Sequence, residues 1–158
     1  MAKVMLLCGR LCCGKSTFAS QLQKETAAVV LSVDALTLSL FPGGLGEEHD
    51  EMTGRVKTYL LSQAQQILAA GVDVILDWGF WKQEERHFVR RYWEERHIAQ
   101  QWYYLNPPEE KRRAYIQKRN AAIEQGKSDA YFVDSSLFAK CDALFEPPCE
   151  REWDTEVT

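Results

Sequence analysis

Val4-Met5-Leu6-Leu7-Cys8-Gly9-Arg10-Leu11-Cys12-Cys13-Gly14-Lys15-Ser16-Thr17 is the stretch that decides the fold. An apolar run of strand length gives way to G-x-x-x-x-G-K-S, and Phe18-Ala19-Ser20-Gln21-Leu22 continues as a helix. Strand, glycine-framed loop and helix in that order form the setting in which a backbone wraps a phosphate. Gly9 and Gly14 let the chain turn tightly and aim its N–H groups at an anion, while Arg10, Leu11, Cys12 and Cys13 need supply only backbone. The helix beginning near Lys15 adds free N–H donors and the positive end of its dipole. Lys15 is placed to reach the β- and γ-phosphates of a nucleoside triphosphate and Ser16 to hold Mg²⁺, with Thr17 supporting the helix start.

Outward from this loop, the chain alternates short apolar runs with longer polar ones. Strands are expected at 3–8, 28–32, 72–77 and 99–105, and helices at 15–25, 35–40, 48–70, 82–96, from 109 onward and at 137–144. The runs at 28–32 and 72–77 are short and rich in β-branched residues, the composition of buried parallel strands. In the 48–70 helix Met52, Val56, Leu60, Ala64 and Ile67 recur three or four apart, marking its buried face. The glycines of 41–46 mark a loop near substrate, and the polar stretch 123–136 reads as a flexible lid. Strand alternating with helix throughout implies a parallel sheet with helices on both faces, an α/β fold. The whole chain, 1–158, reads as one P-loop domain with a lid region at about 109–136.

Composition bounds the function. With 158 residues, 46% hydrophobic, the chain suits one well-filled domain. Its net charge of −4 argues against a general nucleic-acid binder. No run approaches membrane-spanning length and the N-terminus lacks a signal-peptide pattern, so a cytoplasmic setting is expected. Cys8, Cys12, Cys13, Cys141 and Cys149 form no metal-ligand spacing and read as reduced, space-filling thiols. A P-loop that oxidation of Cys12 or Cys13 would block is the sharper alternative.

Phosphoryl transfer needs a clamp on the migrating group and a group that orients and deprotonates the acceptor. Asp34 and Asp77 stand at strand exits, the edge at which open α/β sheets bind ligands. Asp34 is assigned as general base and acceptor anchor, with the capping of the helix after it as the plainer role. Asp77 ends an apolar strand as a Mg²⁺-binding aspartate does, with a turn aspartate before Gly79 as its alternative. Arg112 and Arg119 lie two helical turns apart on one face and could close on the β- and γ-phosphates. Arg86 could reach an acceptor or pair with an acid. Trp78, Phe80 and Trp81 could stack on a substrate ring or fill the core.

These residues together resemble a family. The P-loop at 9–17, Val33-Asp34-Ala35-Leu36, Asp77-Trp78-Gly79-Phe80-Trp81 with Glu85-Arg86, Arg119-Asn120 after Asn106-Pro107-Pro108, and Phe145-Glu146-Pro147-Pro148 resemble the small P-loop kinases described as AAA-type ATP-binding proteins. That group is related to chloramphenicol phosphotransferase, zeta toxins and polynucleotide kinase. The resemblance implies a five-stranded parallel sheet in the order 2-3-1-4-5, ATP and Mg²⁺ as cofactors, and transfer of phosphate to a hydroxyl. The chain departs from it after Pro148, where only 149–158 remain to supply a last strand. The expected acceptor is a small molecule bearing a hydroxyl. A 5′-hydroxyl polynucleotide end is the second enzymatic reading, and a non-catalytic ATP-binding switch the reading from outside enzymes.

Overall fold

The computed structural model describes residues 1–127 and 132–158. Strand β1 (Lys3–Gly9) runs into the P-loop, and α1 (Lys15–Thr26) leaves it. There follow β2 (Val29–Ser32), α2 (Val33–Leu40), a 3₁₀ turn at Gly46–Glu48, α3 (His49–Ala69), β3 (Val74–Gly79) and α4 (Gln83–Glu94). The chain then forms β4 (Ala99–Leu105), α5 (Glu109–Glu124), α6 (Ser135–Leu144), a second 3₁₀ turn at Glu150–Glu152 and β5 (Thr155–Val157). The five strands form one sheet in the order β2-β3-β1-β4-β5, every adjacent pair parallel. This is the strand order the family resemblance implied.

β1 lies at the centre, and its alternating side chains feed two cores. Val4, Leu6 and Cys8 pack with Leu61, Ala64 and Leu68 of α3, Val89 and Trp93 of α4, and Trp102. Met5 and Leu7 pack on the other face with Ala19 and Leu22 of α1, Ile75 and Tyr103. Both faces of the strand are buried, which is why its sequence is continuously apolar. Among the described residues no helix is long and apolar enough to cross a membrane.

Several expectations change. β2 is an edge strand and stays partly exposed along its length, since only β3 pairs with it. β3 continues past Asp77, and the register slips there: Leu7 faces Asp77 but Cys8 faces Gly79. Trp78 is the extra residue of this bulge, which re-aims the chain beside Asp77. The short tail after Pro148 completes the sheet. Trp102 N–H donates to the Asp154 carboxylate at 2.7 Å, Asp154 N–H donates to the Trp102 carbonyl at 2.9 Å, and β5 pairs with Tyr103–Leu105. Of the expected lid, 109–127 is helix and turn, while 128–131 lie outside the described residues. Asn120 bonds the chain just after them, its amide donating to the Val133 carbonyl at 2.6 Å and accepting from Val133 N–H at 2.9 Å.

Candidate active site

The P-loop closes by backbone conformations its sequence makes affordable. Gly14 has φ 89° and precedes α1, while Cys12 takes the left-handed φ 55° that a side chain rarely adopts. Gly9 is required for a different reason: a Cβ there would collide with Cys13 Sγ and lie 2.9 Å from the Leu105 carbonyl oxygen. No side chain caps α1 and no acid stands in its first turn. Its N-terminal N–H groups are therefore left to an anion.

Side chains from other elements brace the loop from outside. Trp81 Nε1 donates to the Gly9 carbonyl at 3.0 Å. Arg112 on α5 is buried and forks between the Leu11 carbonyl, 2.9 Å from Nη2, and the Asp142 carboxylate on α6 at 2.6 and 3.0 Å. Arg119, two turns further along α5, has Nη1 3.5 Å from Cys12 Sγ, and its buried Nε has no partner among the described residues. The shared face of Arg112 and Arg119 is real, but their tasks differ. The phosphate contact expected of Arg112 is corrected, because Asp142 and Leu11 already occupy its guanidinium. Trp81 is likewise corrected from acceptor contact to loop support.

At the mouth of the loop the Ser16 hydroxyl donates to Asp77 Oδ2 at 3.2 Å. Asp77 is buried, and burial raises its pKa against the opposing pull of Lys15 and the Ser16 hydrogen bond. For Lys15, burial works against the charge, but Cys13, Asp77 and Asp34 outweigh it and its pKa is raised. A hydroxyl and one carboxylate at an anion-binding turn suit Mg²⁺, which takes few protein oxygens and completes its shell with phosphates and water. No larger His, Cys, Asp or Glu cluster forms among the described residues, as a caged transition metal would need.

Facing this pair is a cleft of about 600 Å³ lined by Ser16, Ser32, Asp34, Ala35, Leu38, Ser39 and Arg119. The helix begins two residues earlier than expected, and Ser32 caps it by accepting from Ala35 N–H at 3.2 Å. The capping role is thus filled, and the Asp34 carboxylate stands exposed in the cleft wall. A slightly larger cavity of about 670 Å³ lies between α5 and α6, lined by residues such as Ile116, Asn120, Phe132 and Phe138 and by none of the P-loop.

Arg86 is not part of the site. It is 1% exposed, its Nε donates to Glu152 Oε1 at 2.9 Å and its Nη1 to the Phe80 carbonyl at 2.9 Å. Burial opposes charge on Glu152, but hydrogen bonds from Arg86 and from Cys149 N–H outweigh it and hold its pKa below the usual value. Phe80 is fully buried between Trp78 and Trp102, so the aromatic trio is core and loop support rather than a stacking wall. Cys8 and Cys13 fill core space, and burial pushes the Cys8 thiol up to about 12.

No curated protein matches the chain by sequence. Solved structures share its fold. Kti12 of Chaetomium thermophilum in complex with ADP-AlF3 superposes with a TM-score of 0.72 at 16% identity, over 98% of this chain and 87% of that one. A gluconokinase from Sinorhizobium meliloti gives 0.64 at 16% identity over 99% and 83%. The Mycobacterium tuberculosis APS kinase CysC, in complex with AMPPNP and APS, gives 0.65 at 19% identity over 99% and 88%. Residues 4–148, from the central strand through the P-loop to the last proline pair, match the AAA domain family, and the chain belongs to it.

Proposed function

We propose that the protein is a kinase that moves the γ-phosphoryl group of ATP to a hydroxyl of a small-molecule acceptor. The observation that carries this reading is the cleft whose lining includes Ser16, Asp34 and Arg119 together. The gluconokinase and APS kinase of the same fold lend it support.

Lys15 and the P-loop amides hold the phosphates, and α5 brings Arg119 against the loop as the base of a lid. Ser16 and Asp77 would hold Mg²⁺, whose charge offsets that building on the phosphate oxygens. Asp34 orients the acceptor hydroxyl and takes its proton. The acceptor oxygen bonds to the γ-phosphorus as the bond from that phosphorus to the bridging oxygen breaks, and ADP leaves with the electron pair. Donor, clamp and base thus occupy one cleft.

An ATP-consumption assay with Mg²⁺ against aminoglycosides, phenicols, nucleosides, nucleotide sugars and 5′-hydroxyl oligonucleotides tests this. Asp34→Asn should lower kcat by about 10²- to 10⁴-fold, the usual contribution of a positioned base, and leave ATP affinity nearly unchanged. Transfer by the variant at the unaltered rate would remove Asp34 from the mechanism. Tight ATP binding with no acceptor consumed would shift the weight to a regulatory switch.

A further inference from the structure

In the sheet, β3 lies between β1, which leads to the P-loop, and β2, which leads to Asp34. Its exit segment, Trp78-Gly79-Phe80-Trp81, is strained. Trp78 is the extra residue of the bulge, Gly79 has φ 88°, and Phe80 takes φ 53°, a left-handed conformation that a bulky residue seldom adopts. Such strain persists where surrounding contacts over-determine it. Here the Phe80 carbonyl accepts from Arg86 Nη1 at 2.9 Å, and the Trp81 carbonyl accepts from Glu146 N–H at 2.8 Å. The result is two indole N–H groups that reach to the two neighbouring strands. Trp81 Nε1 donates to the Gly9 carbonyl at the end of β1, at 3.0 Å. Trp78 Nε1 donates to the Leu31 carbonyl near the end of β2, at 3.2 Å.

The hold on β2 matters because that strand is an edge, and its ladder with β3 stops at Ser32 opposite Asp77. Leu31 immediately precedes Ser32, the cap of α2, and Asp34 stands in the first turn of that helix. Trp78 also packs in one cluster with Val33 and Leu36 of α2. We propose that Trp78 and Trp81 form a crossbar that fixes the acceptor arm of the site against the donor arm. Trp78 is the positioning residue for Asp34, and Trp81 is the positioning residue for the phosphate loop. This rests on Asp34 being the base of the proposed kinase. Transfer needs the reacting atoms held about 3–3.5 Å apart and in line, so a small shift of β2 would misplace Asp34 while leaving the nucleotide untouched.

The test uses the full chain with Mg²⁺ and ATP, reading ATP affinity by calorimetry and ATP turnover with water standing in for the acceptor hydroxyl. Trp78→Phe keeps the ring stacked on Phe80 and loses the N–H. It should slow turnover roughly ten- to a hundredfold while ATP affinity stays nearly the same. Trp81→Phe should instead weaken ATP binding roughly fivefold, the worth of one ordinary hydrogen bond. In an Asp34→Asn background Trp78→Phe should slow turnover no further, since the group it positions is already lost. Losses that multiply in the double variant overturn the proposal, because Trp78 would then act independently of Asp34. ATP affinity lost in Trp78→Phe overturns it too, as the mark of a general loosening. Both outcomes leave the kinase reading standing. Turnover unchanged by Asp34→Asn, or absent with water and with every acceptor of the screen above, overturns that reading itself.

Discussion

Arg112 serves the phosphate loop without being free to touch a phosphate. Its planar fork joins a P-loop carbonyl to Asp142 on another helix, a geometry that the single ammonium of lysine cannot reproduce. Arg112→Lys should therefore weaken ATP binding about tenfold, or about 1.4 kcal/mol by titration calorimetry, although no phosphate contact is lost. Arg86 and Glu152 form the other buried pair, and here pH gives a second handle. The folded-state pKa of Glu152 lies below its unfolded value of 4.5, so its contribution is complete above that pH and disappears as the carboxylate protonates through the lower folded value. Glu152→Gln should cost about 3 kcal/mol at neutral pH by leaving Arg86 buried without a counter-charge. Urea unfolding should show the gap to the unaltered protein narrowing in acid. Asp77 has the reverse sign. Burial raises its pKa, so the fold opposes its charge, and Asp77→Asn should make the nucleotide-free protein more stable while removing the Mg²⁺ dependence of ATP binding.

At the level of elements, the last ten residues do more than their length suggests. They bring β5, the Asp154 carboxylate for Trp102 and the Glu152 carboxylate for Arg86. Removing 149–158 should strip an edge strand and strand a buried guanidinium together, and a thermal melt should lose its cooperative transition. The elements themselves were largely legible. The G-x-x-x-x-G-K-S turn, the bounds of β4 and the parallel alternation are local patterns, written in neighbouring residues. The partners of the arginines were not. Arg86 and Glu152 are 66 residues apart, and Arg112 and Asp142 are 30 apart. A sequence displays the charges, and only the folded backbone decides which of them come face to face. The position of Asp34 just past the end of β2 was legible, whereas Ser32 as the cap depended on the helix starting two residues early. The exposure of β2 followed from its place at the sheet edge, which its own apolar run does not encode.

For the molecule as a whole, the nucleotide is expected to act as a stabiliser. With Mg²⁺ and ATP at a hundred times the dissociation constant, binding should add about 2.7 kcal/mol to the unfolding free energy. The matching rise in Tm should vanish in Lys15→Ala. The central position of β1 has a consequence in time. This strand leaves the ribosome well before its sheet partners, Val74 and Ala99 with the residues that follow each. Until they emerge, Val4 to Cys8 is an apolar ribbon with two open edges, the kind of segment that invites chaperone binding or mispairing. Parallel pairing over such separations also places refolding toward the slow, millisecond-to-second end of the range for small domains. The strand that delivers the P-loop to its site is therefore the part of the chain most in need of protection while the protein is being made.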